Sequence, residues 1–261
     1  LFTEEHAALT GSREVIITEE LKPERSFNVN LNYLKKIYGD NGTFLTLDAS
    51  LFYTHFQNII IPDYDTNPNQ IIYDNLNGKS VSKGISANVD ISLPISFKIM
   101  FGGTLQDVSN IENGITKRQI LTESYSANWG FSYTIWPWNL TLDYTGNLYG
   151  PMRLPTLGDN DPRRDFSPTW SIQNIQFSYS GMKNFEIYAG VKNLLNWTPN
   201  NGNPFIIARA NDPFDKEVTF DTNGNAVSTS NNPYALTFDP TYVYGPNQGI
   251  RSFLGVRYAL N

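Results

Sequence analysis

The chain alternates. Over nine stretches of about ten residues, apolar and polar side chains take turns with a period of two, and helical periodicity is hard to find. In 27–33, Phe27, Val29, Leu31 and Tyr33 oppose Asn28, Asn30 and Asn32. In 85–93, Ile85, Ala87, Val89, Ile91 and Leu93 oppose Ser86, Asn88, Asp90 and Ser92. The same pattern recurs over 45–53, 97–106, 126–135, 140–148, 170–179, 185–195 and 252–260. In 170–179 it breaks: Trp170 and Ile172 share one parity, and Ile175, Phe177 and Tyr179 the other, which predicts a β-bulge near Gln173. Strands of roughly ten residues are about twice the usual ~5–6. They match the ~9–11 that cross a bilayer at a tilt.

The connections sharpen this. They run short and long in strict turn: short around 37–42, 94–96, 136–139 and 181–184, long over about 58–83, 109–124, 150–168 and 196–251. An up-and-down meander puts all the short ones at one end and all the long ones at the other, the layout of an outer-membrane barrel. The polar face carries Asp48, Asp90, Asp143, Lys98, Glu186 and Lys192 in mid-strand. Unpaired in a dry core, each would cost several kcal/mol, so that face borders a wet or plugged lumen and the apolar face borders lipid. Tyr53, Trp136, Trp138, Tyr149, Trp170 and Trp197, near strand ends, are expected in the aromatic girdles.

No run of ~18 apolar residues exists for a membrane helix. The balance of 19 Lys and Arg against 25 Asp and Glu, net −6, excludes nucleic acid as the main partner. Without cysteine there is no thiolate catalysis or Cys zinc site. No hydrolase, P-loop or zinc-protease motif occurs, and the two histidines, His6 and His55, fall near loops, so no enzyme is expected. Nine strands leave two open edges, which lipid does not tolerate. With Leu1-Phe2-Thr3-Glu4 at the start, further strands and a plug are expected outside residues 1–261.

Several stretches resemble the C-terminal half of TonB-dependent outer-membrane receptors. Leu21-Lys22-Pro23-Glu24-Arg25-Ser26 is similar to that family's L-x-P-E-x-S strand start. Phe52-Tyr53-Thr54-His55-Phe56-Gln57-Asn58-Ile59-Ile60 resembles its F-Y-x-x-x-x-N-x-I strand end. Asn75 to Ile85, with Lys83-Gly84-Ile85, resembles the start of a descending strand, although Ser86 stands where Glu is usual. Val191-Lys192-Asn193-Leu194-Leu195-Asn196 and Arg251-Ser252-Phe253-Leu254-Gly255-Val256-Arg257-Tyr258 resemble the last two strand motifs. Phe238 to Pro246 looks like forms from Bacteroidota receptors. The resemblance implies an all-β, antiparallel up-and-down transmembrane barrel of about 22 strands, of which 1–261 supplies about nine C-terminal ones. It also implies an N-terminal plug and active uptake of a bulky scarce ligand such as a siderophore, haem or cobalamin, driven through the TonB–ExbB–ExbD complex. A passive porin-like or surface-binding barrel is the alternative.

Candidate ligand contacts lie in the long connections, expected to be extracellular: Arg153, Arg163, Arg164 and Arg209 for an anionic chelate or lipopolysaccharide phosphate. Trp197, Phe205, Tyr234, Tyr242 and Tyr244 suit an amphipathic ligand or a surface lipoprotein. Asp221, Asn223 and Asn225 space their oxygens as a Ca2+ loop does, and equally as an Asn-Gly hairpin tip does. No other cofactor is expected.

Overall fold

The structure, a computed structural model, describes residues 14–17, 21–63, 66, 70–154, 164–199, 219–223, 226–230, 244–246 and 248–259. Fifteen strands appear among them: β1 Glu14–Ile17, β2 Arg25–Tyr38, β3 Phe44–Asn58, β4 Ile60–Asp63, β5 Gln70–Asn75, β6 Gly78–Leu93, β7 Phe97–Glu112, β8 Ile115–Arg118, β9 Tyr125–Ile135, β10 Leu140–Tyr149, β11 Trp170–Met182, β12 Phe185–Lys192, β13 Thr219–Phe220, β14 Ala226–Val227 and β15 Arg251–Tyr258. The nine expected strands form one antiparallel sheet in the order β2-β3-β6-β7-β9-β10-β11-β12-β15, with β8 added to the outer part of β7. Strands β6 and β7 reach 16 residues, so they stand above any bilayer they cross.

Register turns the alternation into two faces. Ile37, Leu45, Ile91, Ile99, Phe131, Tyr144, Ile175 and Val191 lie side by side across eight strands. On the other face, Lys36, Thr46, Asp90, Met100, Gly130, Thr145 and Asn174 form a parallel row. The apolar face is bare: Leu31 is 66% exposed, Phe101 54% and Leu254 76%. An open apolar surface of this extent is a lipid contact, because water-facing patches on monomers rarely exceed a few hundred Å2. The polar face is hydrogen-bonded to itself, as where Asn28 Nδ2 donates to Thr54 Oγ1 (2.6 Å), Ser50 Oγ to Asn32 Oδ1 (2.6 Å) and Gln176 Nε2 to Ser178 Oγ (3.0 Å).

The four short connections close on left-handed residues, Gly42, Ser96, Asn139 and Asn184, the conformation that turns these strands back within a few residues. Trp136 and Trp138, in the 3-10 turn Trp136–Trp138, are 68% and 66% exposed and form a girdle at this end.

Three expectations need correction. The pairing of β11 with β10 runs unbroken from Trp170 to Tyr179, so there is no bulge at Gln173. The irregularity falls between Tyr179 and Met182, against β12. Without the bulge, Trp170 and Ile172 belong to the polar face, opposite Tyr149 and Asn147. Tyr149, Trp170 and Trp197 therefore stack with one another at the long-connection end instead of forming a girdle. The eighth strand stops at Lys192 rather than Leu195, because Asn193 turns left-handed (φ 54°).

Candidate functional site

The long connections fold onto one another above the polar face. The first contains a hairpin, β4 with β5, and β1 joins β5 in parallel to make a three-stranded sheet. Under it Ile71, Tyr73, Leu76 and Ser80 are buried. Burial raises the Tyr73 phenol above its ordinary pKa.

Three of the motif stretches meet at the foot of this hairpin. Asn58 Nδ2 donates to the carbonyls of Lys22 (3.4 Å) and Pro23 (2.7 Å). Asn75 accepts from Lys22 N (2.7 Å) and donates from Nδ2 to Lys22 O (3.0 Å) and Asn58 Oδ1 (3.1 Å). Glu24 Oε1 accepts from Ile60 N at 3.0 Å. Glu24, Asn58 and Asn75 are thus a polar clasp that fixes the hairpin to the start of β2.

The second connection folds back as β8, turning on Asn113 and Gly114 with φ of 50° and 78°, an Asn-Gly hairpin tip. The third is knitted to it: Ile120 bridges Arg153, Glu123 bridges Met152, and Arg153 bridges Phe166. Between the β4–β5 hairpin, the β7–β8 hairpin and Arg153 lies a cleft of about 420 Å3. Its walls are Ile60, Ile61, Ile72 and Ile115 with Asp63, Asp74 and Glu112 on one side of the charge balance, and Lys117 and Arg153 on the other. Asn110 and Glu112, on the polar parity of β7, face this vestibule.

A second feature stands beside it. Tyr149 stacks on Trp170 (centroids 4.3 Å, 26°), Trp170 on Trp197 (4.6 Å, 8°), and Tyr244 tilts against Trp197 at 6.1 Å. Met152, Leu154, Trp170 and Tyr244 form its buried core. Burial also lifts the Tyr244 phenol above its ordinary pKa. Asn193, 4% exposed, ties the roots of the largest connection: Nδ2 donates to Trp197 O (2.6 Å) and Gln248 O (3.1 Å), and Oδ1 accepts from Trp197 N (3.0 Å). Asn196 Oδ1 accepts from Ile250 N at 2.9 Å.

Of the candidate contacts, Arg153 lines the cleft, its Nη1 donating to Arg118 O at 3.1 Å. Arg164 is exposed beside the knot. Trp197 and Tyr244 belong to the stack, apart from the cleft lining. Asp221 and Asn223 form a side-chain turn, Asn223 N donating to Asp221 Oδ1 at 2.8 Å. Arg163, Phe205, Arg209, Tyr234, Tyr242 and Asn225 lie outside the described residues. Asp63, Asp74, Glu112 and Lys117 were not legible as a group. The Asn113-Gly114 dipeptide was the available signal, since it marks the hairpin that carries Glu112 and Lys117 to the cleft. Among the described residues, no group of three acidic or histidine side chains is placed to hold a metal.

A meander of long strands with a bare apolar face, a polar face and all long connections at one end is the wall of a transmembrane β-barrel. The TonB dependent receptor-like β-barrel family matches residues 7–194, and the chain belongs to that family. No curated protein matches it in sequence. In structure it is similar to the pyoverdine outer membrane receptor FpvA from Pseudomonas aeruginosa PAO1 (TM-score 0.58, 15% identity, 92% of this chain and 30% of that one). It is also similar to the ferric-catecholate import receptor Fiu from E. coli K12 (0.56, 13%, 92% and 28%). A third is the FrpB iron transporter from Neisseria meningitidis (0.54, 12%, 94% and 32%). The chain thus spans less than a third of the length of each.

Proposed function

We propose that residues 1–261 are the C-terminal wall of an outer-membrane receptor that takes up a scarce, bulky ligand, a siderophore, haem or cobalamin, with energy delivered through the TonB–ExbB–ExbD complex. The observation that carries this reading is the cleft of about 420 Å3 above the polar face of a wall of this family. The long connections face the exterior, where Arg153 and its neighbours receive the ligand. The polar face borders a plug and the open edges of β2 and β15 pair with further strands of the same barrel. The same reading assigns a surface lipoprotein to the largest connection as its partner. The family is one of receptors, and no catalytic role is assigned to any residue.

The test is uptake by cells carrying the full-length receptor, offered ferric siderophores, haem and cobalamin in turn. Accumulation of one of them that stops when the inner-membrane coupling complex is deleted supports the reading. Accumulation that persists without that complex overturns it in favour of a passive barrel.

A further inference from the structure

The three carboxylates of the cleft share a setting. Across the β4–β5 ladder Asp74 stands opposite Ile61 and Asp63 opposite Ile72, and across the β7–β8 ladder Glu112 stands opposite Ile115. Directly opposed residues point to one face with Cβ atoms about 5 Å apart, so each carboxylate lies beside an isoleucine. All six side chains line the cleft, from two hairpins that face each other across about 420 Å3. Acid beside hydrocarbon, repeated three times, matches a cation that carries a hydrocarbon stem of its own.

The groups left without partners all have one sign. Asp63 is engaged, accepting from Thr66 N at 3.1 Å and from Thr66 Oγ1. Asp74 accepts only from the N–H of its own neighbour Asn75 (2.7 Å), and Glu112 has no hydrogen bond or ion pair among the described residues. The cations of the cleft already have partners: Arg153 Nη1 donates to Arg118 O at 3.1 Å, and Lys117 is engaged as well. Asn110, opposite Lys117 on the same face, keeps its Oδ1 buried and without a donor. Buried acceptors are seldom left unmatched, and here the unmatched groups call for N–H donors and positive charge together. A metal ion does not answer that call. Among the described residues, no three acidic or histidine side chains are close enough to hold one. An anionic ligand would set its charge against Asp74 and Glu112 at short range.

We propose that the cleft takes its ligand by an organic ammonium group on a hydrocarbon stem, the nitrogen against Asp74, Glu112 and Asn110 and the stem along Ile61, Ile72 and Ile115. This rests on the uptake reading above, and it narrows the accepted ligands to those that carry such an arm. The carboxylates hold the charged end, the isoleucines exclude water from it, and a neutral or acidic arm of the same length gains only the apolar contact.

The test uses the full-length receptor in neutral detergent and three probes with one stem and different heads: hexylammonium, hexanol and hexanoate. Affinities are read by saturation-transfer NMR. The wild-type receptor should bind hexylammonium about tenfold more tightly than hexanol, and hexanoate more weakly still. Asp74→Asn and Glu112→Gln should each lower hexylammonium affinity about fivefold and leave hexanol unchanged. Ile115→Ser, at a side chain 62% exposed and therefore outside any core, should weaken hexylammonium and hexanol alike. Asp40→Asn, in the short connection between β2 and β3 at the far end of the wall, removes a charge and should change neither. If Asp74→Asn does not fold, as judged by heat-dependent mobility, Glu112→Gln at the hairpin tip carries the comparison alone. Equal affinity for hexylammonium and hexanol overturns the proposal, as does full hexylammonium affinity in folded Glu112→Gln. Displacement of hexylammonium by equimolar Mg2+ overturns it in favour of a metal site. None of these measurements involves the coupling complex. A lost preference beside coupled uptake therefore strikes the ammonium site alone, and a preserved preference beside uncoupled uptake strikes only the uptake reading.

Discussion

Val89 and Asn88 are neighbours in sequence and face different solvents. Val89 lies in the apolar rows between Leu47 and Phe101, and Asn88 faces the other way between Asp48 and Gly102. Val89→Lys should cost roughly 2–4 kcal/mol in refolding into lipid, because a charge near the midplane has no water. Asn88→Lys should cost much less, and equal costs in denaturant titrations of the two variants would mean the faces are reversed. Tyr244 gives a second residue-scale test. Its burial raises the phenol above the usual 10.0, so the folded state keeps a proton that the unfolded chain surrenders. The aromatic stack therefore holds its full stability below pH 10 and loses it as pH rises through the elevated value. Tyrosinate absorbance in an alkaline titration should show Tyr244 and Tyr73 ionising after the exposed tyrosines, and Tyr244→Phe should remove one late phase. Both tests rest on side-chain direction, which alternation alone reveals for Val89 and which only the register reveals for the stack.

At the scale of elements, the nine long strands were legible because a half-polar wall must alternate, and the alternation survives any tertiary context. What escaped follows from the same rule. Ile59-Ile60-Ile61 does not alternate, since β4 sits in a small sheet over a buried core, and Pro62 fits an edge strand better than a central one. Trp170 was misplaced because its residue type suggests a girdle, while its pairing with Tyr149 sets it on the polar side. The clasp of Glu24, Asn58 and Asn75 showed only as motif letters; the residues are 17 to 51 positions apart and their meeting needs the hairpin. The cleft residues share no motif at all. Joining the chain across 203–243 should leave the wall intact, because Asn193 still reaches Trp197 and Gln248. In the full-length receptor, heat-dependent mobility should be unchanged while ligand or partner affinity falls more than about tenfold, ~1.4 kcal/mol. Adding Asn193→Ala to that deletion should cost a further ~1 kcal/mol, since two half-buried backbone carbonyls lose their donor. Unchanged affinity in the deletion would place recognition elsewhere in the receptor.

At the scale of the whole molecule, the described residues form a wall with two open sides, β2 and β15. Residues 1–261 expressed alone should therefore give no heat-resistant monomeric barrel in detergent, because edge N–H and C=O groups have no partners in lipid. A monomeric, heat-modifiable band from that stretch would show that it closes by itself. The tie between Asn193, Trp197 and Gln248 bears on the history of such a wall as well as on its folding. Both roots of the largest connection are held by one side chain that belongs to the strand region. Whatever lies between the roots can lengthen, shorten or change its chemistry without disturbing the pairing beneath it. Descendants can therefore rewrite that stretch again and again, while the part that must survive in the membrane is inherited unaltered.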